Sequence, residues 1–166
     1  MQDVSQSEKD NRMNISIKIL LIISAMSCSP RRNSDHEKTS ILDLLGRERQ
    51  AHFEKNAQLF MSVFSDSMIS VNRGEVSQLN KEQTRKRIEG YFNQVEFIKW
   101  DDTAPPKISF SNDASLAYAL VQKKAIVRFR DDTKEVSFDT TDFAWVSIYR
   151  KTGNEWKLEC NISTNK

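Results

Sequence analysis

Two adjacent acids stand out among the residues of this chain that could do chemistry. Asp101 and Asp102 directly follow Trp100. A carboxyl held against an indole loses hydration, which raises its pKa toward the range useful for acid–base work. The pair also precedes Pro105-Pro106, and adjacent acids before a proline pair equally form a solvated bend. His52 falls at the edge of the apolar stripe of the first predicted helix. An imidazole there can be a base, a ligand or a hydrogen-bonded structural residue. Only His36 accompanies it, so no histidine-based metal site is expected. Cys160 lies in step with Trp156, Leu158 and Ile162 in the last predicted strand and reads as a buried, unreactive thiol. The sequence contains no Gly-rich phosphate loop, nucleophile elbow or paired metal ligands, and no cofactor is expected. Tyr91, Trp100, Tyr118 and Trp145 could line a pocket, because aromatic bodies with one polar tip suit a small apolar ligand that must be oriented. Plain core packing would use the same residues. Arg85-Lys86-Arg87 and Lys123-Lys124 read as solvated faces.

Composition narrows the partners. The chain has 166 residues with 25 Lys plus Arg against 23 Asp plus Glu, a net charge of +2. That balance argues against duplex nucleic acid as a partner. The length supports one domain with a sizeable core. With 4 Gly, 3 Pro and 2 Cys, the chain is neither low-complexity nor a disulfide scaffold.

The N-terminal text reads as an address. Residues 1–12 are polar and are expected to be an over-called extension, with Met13 the true start. Residues 13–27 read as an export signal: Lys18 gives the positive region, residues 19–26 the short apolar region, and Ala25 and Ser27 the small residues before a cut. The apolar run is well short of the roughly 20 residues that span a bilayer. A cysteine directly after the cut, Cys28, resembles the lipobox of bacterial lipoproteins. That resemblance implies acylation of Cys28, a membrane partner through the lipid, and a domain in the periplasm or at the cell surface. The sequence departs from the usual lipobox with Ala25 in place of Leu and Ser27 in place of Gly or Ala. A plain secretory cut at the same bond would instead release a soluble protein. Residues 28–39 are expected to be the lipidated cysteine and a flexible tether, and residues 40–166 the folded domain.

The elements that would position these groups follow from hydrophobic spacing. Leu42, Leu45, Phe53, Ala57, Phe60 and Phe64 recur at three- or four-residue steps and predict one helix over residues 41–64, capped by Thr39 or Ser40. Residues 67–71 predict a strand, Asn72-Arg73-Gly74 a turn, and residues 75–77 its return. Asn80 with Gln83 predicts a capped second helix burying Ile88, Tyr91 and Phe92. Thereafter the period is two, with strands over residues 95–100, 107–110, 115–130, 135–150 and 155–164. Helices followed by long antiparallel strands make an α+β fold with a strongly bent sheet wrapped on the first helix. In residues 141–149 one face carries Phe143, Trp145 and Tyr149 and the other Ala144, Val146 and Ile148. Both faces being apolar, the one not covered by helices is expected to meet a second copy of the domain, unless loops or a tail cover it in a monomer.

This order of elements resembles the nuclear transport factor 2-like superfamily, with its cone-shaped α+β half-barrel of cystatin-like topology. The residues carrying the resemblance are 66–76, Tyr91-Phe92, 95–102, Pro105-Pro106 and 156–158. The nearest likeness is to exported bacterial members of unassigned activity, related to the SnoaL-like and kinase-association groups. The fold hosts isomerases, cyclases, dehydratases and binding domains alike. In ketosteroid isomerase an Asp in the hairpin strand is the base. Aligning that strand with residues 67–74 puts Val71 there, and a hydrocarbon cannot accept a proton. The reading preferred here is a membrane-tethered domain binding a small apolar molecule. The alternatives are an isomerase or lyase using a pocket carboxyl, and a dimerisation or association module.

Overall fold

The computed structural model describes residues 34–130 and 136–165. The export-signal segment and Cys28 lie outside the described residues.

The first helix, α1, runs Ser34–Phe53, with Asp35 and Glu37 in its first turn, where acids complement the positive helix end. The chain is therefore already helical over Ser34–Thr39, where the sequence predicts a flexible tether. Thr39 and Ser40 are not caps. Their hydroxyls donate back to the carbonyls of Asp35 and His36 at 2.9 and 3.1 Å. Nor is residues 41–64 a single helix. Lys55 takes a left-handed φ of 53°, and Asn56 opens the next helix, α2 (Ala57–Ser62), by accepting from the Leu59 N–H at 2.8 Å. Apolar spacing carries through this break because the reversal falls on polar residues. The face α1 buries is Glu37, Ile41, Leu44, Leu45, Ala51 and His52, whereas Leu42 and Phe53 are 40% and 39% exposed.

Strand β1 (Phe64–Asn72) joins β2 (Glu75–Gln78) through Arg73 and Gly74. Their φ values of 52° and 80° match the twist of a two-residue hairpin. Helix α3 (Lys81–Gln94) starts as expected, with the Asn80 side chain accepting from Gln83 N–H at 3.0 Å. The remaining strands are β3 (Val95–Asp102), β4 (Lys107–Phe110), β5 (Leu116–Arg130), β6 (Val136–Thr152) and β7 (Glu155–Asn165). Asp101 and Asp102 thus extend β3 and do not form a bend.

The sheet order is β2-β1-β7-β6-β5-β3, with β4 also pairing β5. Every pairing is antiparallel except β1 with β7. Odd positions of β5 and β6 face the helices: Ala117, Ala119, Val121, Trp145 and Tyr149 are all buried and share one core with Ile41, Leu44 and Leu45. A second cluster joins Ala57, Phe92, Val95, Phe97 and Val127. Removing Phe92, 1% exposed, from water contributes about 3 kcal/mol.

Two irregularities redirect side chains, as an extra residue in one strand does. In β3, Phe97 pairs with Val127 and Lys99 with Ile126, so Ile98 is the extra residue. In β7, Leu158 pairs with Tyr149 and Cys160 with Ile148, so Glu159 is. Beyond each bulge the inward and outward positions exchange.

At the start of α1, Lys151 Nζ donates to both Glu37 carboxylate oxygens at 2.6 and 2.7 Å, and Trp156 Nε1 donates to one of them at 2.7 Å. Both charged side chains are over nine-tenths buried, so this triad ties the first helical turn to β6 and β7.

Candidate ligand site

The site is built where the second half of α1 crosses the concave face of β3, β5 and β6. The Ile98 bulge decides what β3 contributes. After it, Trp100 pairs with Ala125 and Asp102 with Lys123, and both partners belong to the buried face of β5. His52 then lies flat on Trp100, with centroids 4.1 Å apart and planes at 17°. Phe60 and Phe97 meet the imidazole edge-on at 5.3 and 4.9 Å. His52 Nδ1 contacts the Glu48 carbonyl at 2.7 Å. A carbonyl only accepts, so this contact keeps a proton on Nδ1. Burial, more than the nearby Lys123 charge, lowers the His52 pKa to about 4.

One turn before His52 on the same face is Glu48. Burial raises its pKa to about 7, opposed by the charge of Lys123 and assisted by that of Asp102. Lys123 is 2% exposed, and its ammonium donates to Asp102 Oδ1 at 2.5 Å. Deeper in, Trp145 Nε1 donates to Ser147 Oγ at 3.0 Å. The nearby Tyr149 hydroxyl has its pKa raised by burial and by Glu48, an effect Ser147 opposes. The Trp100 indole N–H is buried without a hydrogen-bond partner, which costs about 1–3 kcal/mol unless something fills it. Glu48, Trp100 and Phe143 each keep partial contact with solvent. A near-neutral carboxyl, a neutral imidazole and a phenol can hold or exchange a proton with a bound molecule.

Of the residues singled out in the sequence, His52, Trp100, Trp145 and Asp102 gather here. Asp101 is turned to the rim, paired with Arg49 at 3.0 Å, both half exposed. Tyr91 is 39% exposed and meets two rings that flank His52, Phe97 at 5.9 Å and Phe92 at 6.2 Å. Tyr118 is not in the interior: it is an even, outward position of β5, 45% exposed. Lys123 is the reverse correction, a buried ion-pair member and not part of a solvated face. Cys160 is half-buried, because the Glu159 bulge puts it on the outer face opposite Ile148, out of step with Trp156 and Leu158. Its thiol pKa is raised by burial and by Glu159. Val71 pairs with Ile162 on the outer face. Glu48, Lys123 and Ser147 were missed. Lys123 interrupts the small apolar series Ala117, Ala119, Val121, Ala125, Val127, and Glu48 stands four residues before His52. A charge inside an apolar period was the available signal.

The outer face has its own groove, about 290 Å³, lined by Pro105, Leu120, Ala144, Val146, Ile162 and Thr164. Leu120, Tyr118, Ile69, Ile162 and Val76 are 43, 45, 39, 37 and 75% exposed. No group of three or more His, Cys, Asp or Glu among the described residues could hold a metal ion. No described helix is long and apolar enough to cross a membrane.

Similar solved structures define the fold. A Streptomyces avermitilis protein provisionally named a dehydratase of the NTF2-like family superposes with a TM-score of 0.65 at 13% identity, covering 80% of this chain and 98% of that one. A Novosphingobium aromaticivorans protein provisionally named a scytalone dehydratase gives 0.65 at 14%, covering 80% and 86%. An Exiguobacterium sibiricum protein provisionally named a calcium/calmodulin-dependent kinase II association domain gives 0.63 at 14%, covering 78% and 93%. The chain has the nuclear transport factor 2-like fold, an α+β arrangement of helices on a curled, mainly antiparallel sheet. No protein-family model matches the sequence, and comparison with curated proteins finds no match.

Proposed function

We propose that this chain is an exported, lipid-anchored, homodimeric domain that binds a small, mainly apolar molecule between α1 and the concave sheet. The observation that carries the binding reading is the Trp100 N–H, buried and unpartnered within an aromatic floor. A ligand acceptor atom would satisfy that donor, and the rings of His52, Trp100 and Phe143 would cover the ligand's apolar body. Export and anchoring rest on residues 13–27 and Cys28. Mass spectrometry of the mature N-terminus tests them, a diacylated or triacylated Cys28 being the expected species. Dimerisation rests on the exposed apolar outer face.

Binding is tested with 2-acetylnaphthalene against naphthalene, followed by tryptophan fluorescence. The ketone should bind several-fold tighter, and Trp100→Phe should remove that advantage. Equal, weak partitioning of both probes would overturn the reading.

A second reading is turnover, an isomerase or lyase moving a proton. Glu48, titrating near neutrality, favours it, and two similar structures carry dehydratase names.

A further inference from the structure

Past Phe143 the concave face runs on into a polar space. Strand β7 pairs with β6 as far as Asn165, opposite Phe143, whereas β6 reaches back to Val136 along β5. Beyond Phe143, β6 therefore has no neighbouring strand on its β7 side among the described residues. A cavity of about 770 Å³ lies there, lined by Asn72 and Arg73 of the β1–β2 turn, Asp139, Thr141 and Phe143 of β6 and Ser163 of β7, among others. Asp139, Thr141 and Phe143 sit opposite Val127, Ala125 and Lys123, all buried, so the three share the concave face in one row. Ser163, opposite Trp145, joins them.

The lining defines a ligand by its chemistry. Its charges are one of each sign, Arg73 and Asp139, and neither is in an ion pair with any described residue. An ion of either sign would gain from one and lose to the other. The remaining polar groups, the Asn72 amide and the hydroxyls of Thr141 and Ser163, both donate and accept. The side chains of Asn72, Arg73 and Ser163 make no hydrogen bond with any described residue. Thr141 Oγ1 donates its proton to Asp139 at 3.3 Å and keeps its accepting capacity. The one aromatic wall is Phe143, half-buried and braced by the Trp100 ring at 5.9 Å. Such a wall suits a molecule that is neutral, carries groups that donate and accept alike, and has one apolar face.

We infer that this cavity binds a neutral saccharide, with the C–H face of a pyranose ring on Phe143 and neighbouring hydroxyls on Asp139, Asn72 and Arg73. The negative face of an aromatic ring attracts the weakly positive C–H groups of the sugar. A carboxylate, an amide and a guanidinium are planar and can each bridge two adjacent hydroxyls. The inference is independent of the apolar-ligand site proposed above, with which it shares only the Phe143 ring.

The test follows backbone amide resonances of the full chain during titration with methyl β-D-glucopyranoside, methyl β-D-galactopyranoside and methyl α-D-mannopyranoside. Sorbitol, which has the hydroxyls but no ring face, is the control. At least one pyranoside should shift the Thr141, Phe143 and Ser163 amides with millimolar saturation, and sorbitol should leave them in place. Asp139→Ala, at an exposed position, should weaken that pyranoside about tenfold, the scale of one hydrogen bond to a charged group. Phe143→Leu, which keeps apolar bulk against Trp100 but removes the flat face, should weaken it by a similar factor. No saturable shift from any of the three pyranosides, equal shifts from sorbitol, or full affinity in Asp139→Ala overturns the saccharide assignment. None of these outcomes bears on the ketone probe, whose binding is decided separately.

Discussion

The imidazole of His52 rests face to face on the indole of Trp100 at 4.1 Å while its Nδ1 is tied to the backbone carbonyl of Glu48 at 2.7 Å. One ring thus joins the edge strand to the long helix. Trp100→Ala should cost about 3–5 kcal/mol in urea unfolding, the range for emptying a large aromatic site. His52→Phe, which keeps a ring in the stack, should cost far less. Equal losses would show that the stack is not what holds β3 to α1.

Glu48 and His52 give opposite pH dependences. Folding raises the Glu48 pKa from 4.5 to about 7, so the folded state holds the extra proton, and stability falls as pH rises through that window. Folding lowers the His52 pKa from 6.5 to about 4, so the unfolded state holds the extra proton, and stability falls as pH drops through that window. Each effect is worth about 3 kcal/mol, and the two nearly cancel between pH 4.5 and 6.5. Denaturation midpoints should therefore be flat there in the wild type. They should rise with pH in Glu48→Gln and fall with pH in His52→Phe. A sloped wild type with parallel variants would show that these groups are not the ones titrating.

Lys151→Ala strands the Glu37 carboxylate inside the protein and should cost about 3–5 kcal/mol. The double variant Glu37→Leu with Lys151→Met removes both charges and should recover most of that loss, although the Trp156 N–H then goes without its acceptor. Chemical denaturation of the two variants checks this, and a double variant as weak as the single one would contradict it.

Leu120 and Ile162 both face outward, on β5 and β7, and line the same groove. Leu120→Lys and Ile162→Lys should each shift sedimentation equilibrium from dimer toward monomer while leaving the circular dichroism spectrum unchanged. A wild type that sediments as a monomer at high concentration would remove the outer face from the argument.

The fold was legible because the long strands β5, β6 and β7 and the Asn80 cap follow local rules of period and capping. The site was legible only in part. His52, Trp100, Trp145 and Asp102 were singled out one by one, but the contact of α1 with β3 and β5 that unites them is non-local. The two bulges explain most of the errors of facing. Strict alternation through Ile98 sends Lys99 and Asp101 inward in place of Trp100 and Asp102, and alternation through Glu159 buries Cys160 beside Leu158. Tyr118 proves to face outward, which parity within one strand could not say, since it does not tell which face is concave. Lys55 hid the end of α1, since a left-handed turn at lysine carries no glycine to announce it.

The grip of Lys151 and Trp156 on Glu37 has a mechanical side. If the leading segment is moored in a bilayer, tension along it enters the domain at Ser34, less than one helical turn from that grip. The first contacts to take up such a pull are those of Glu37 with Lys151 on β6 and Trp156 on β7. A domain pulled from its leading end would thus load a buried ion pair before it loads the rest of α1.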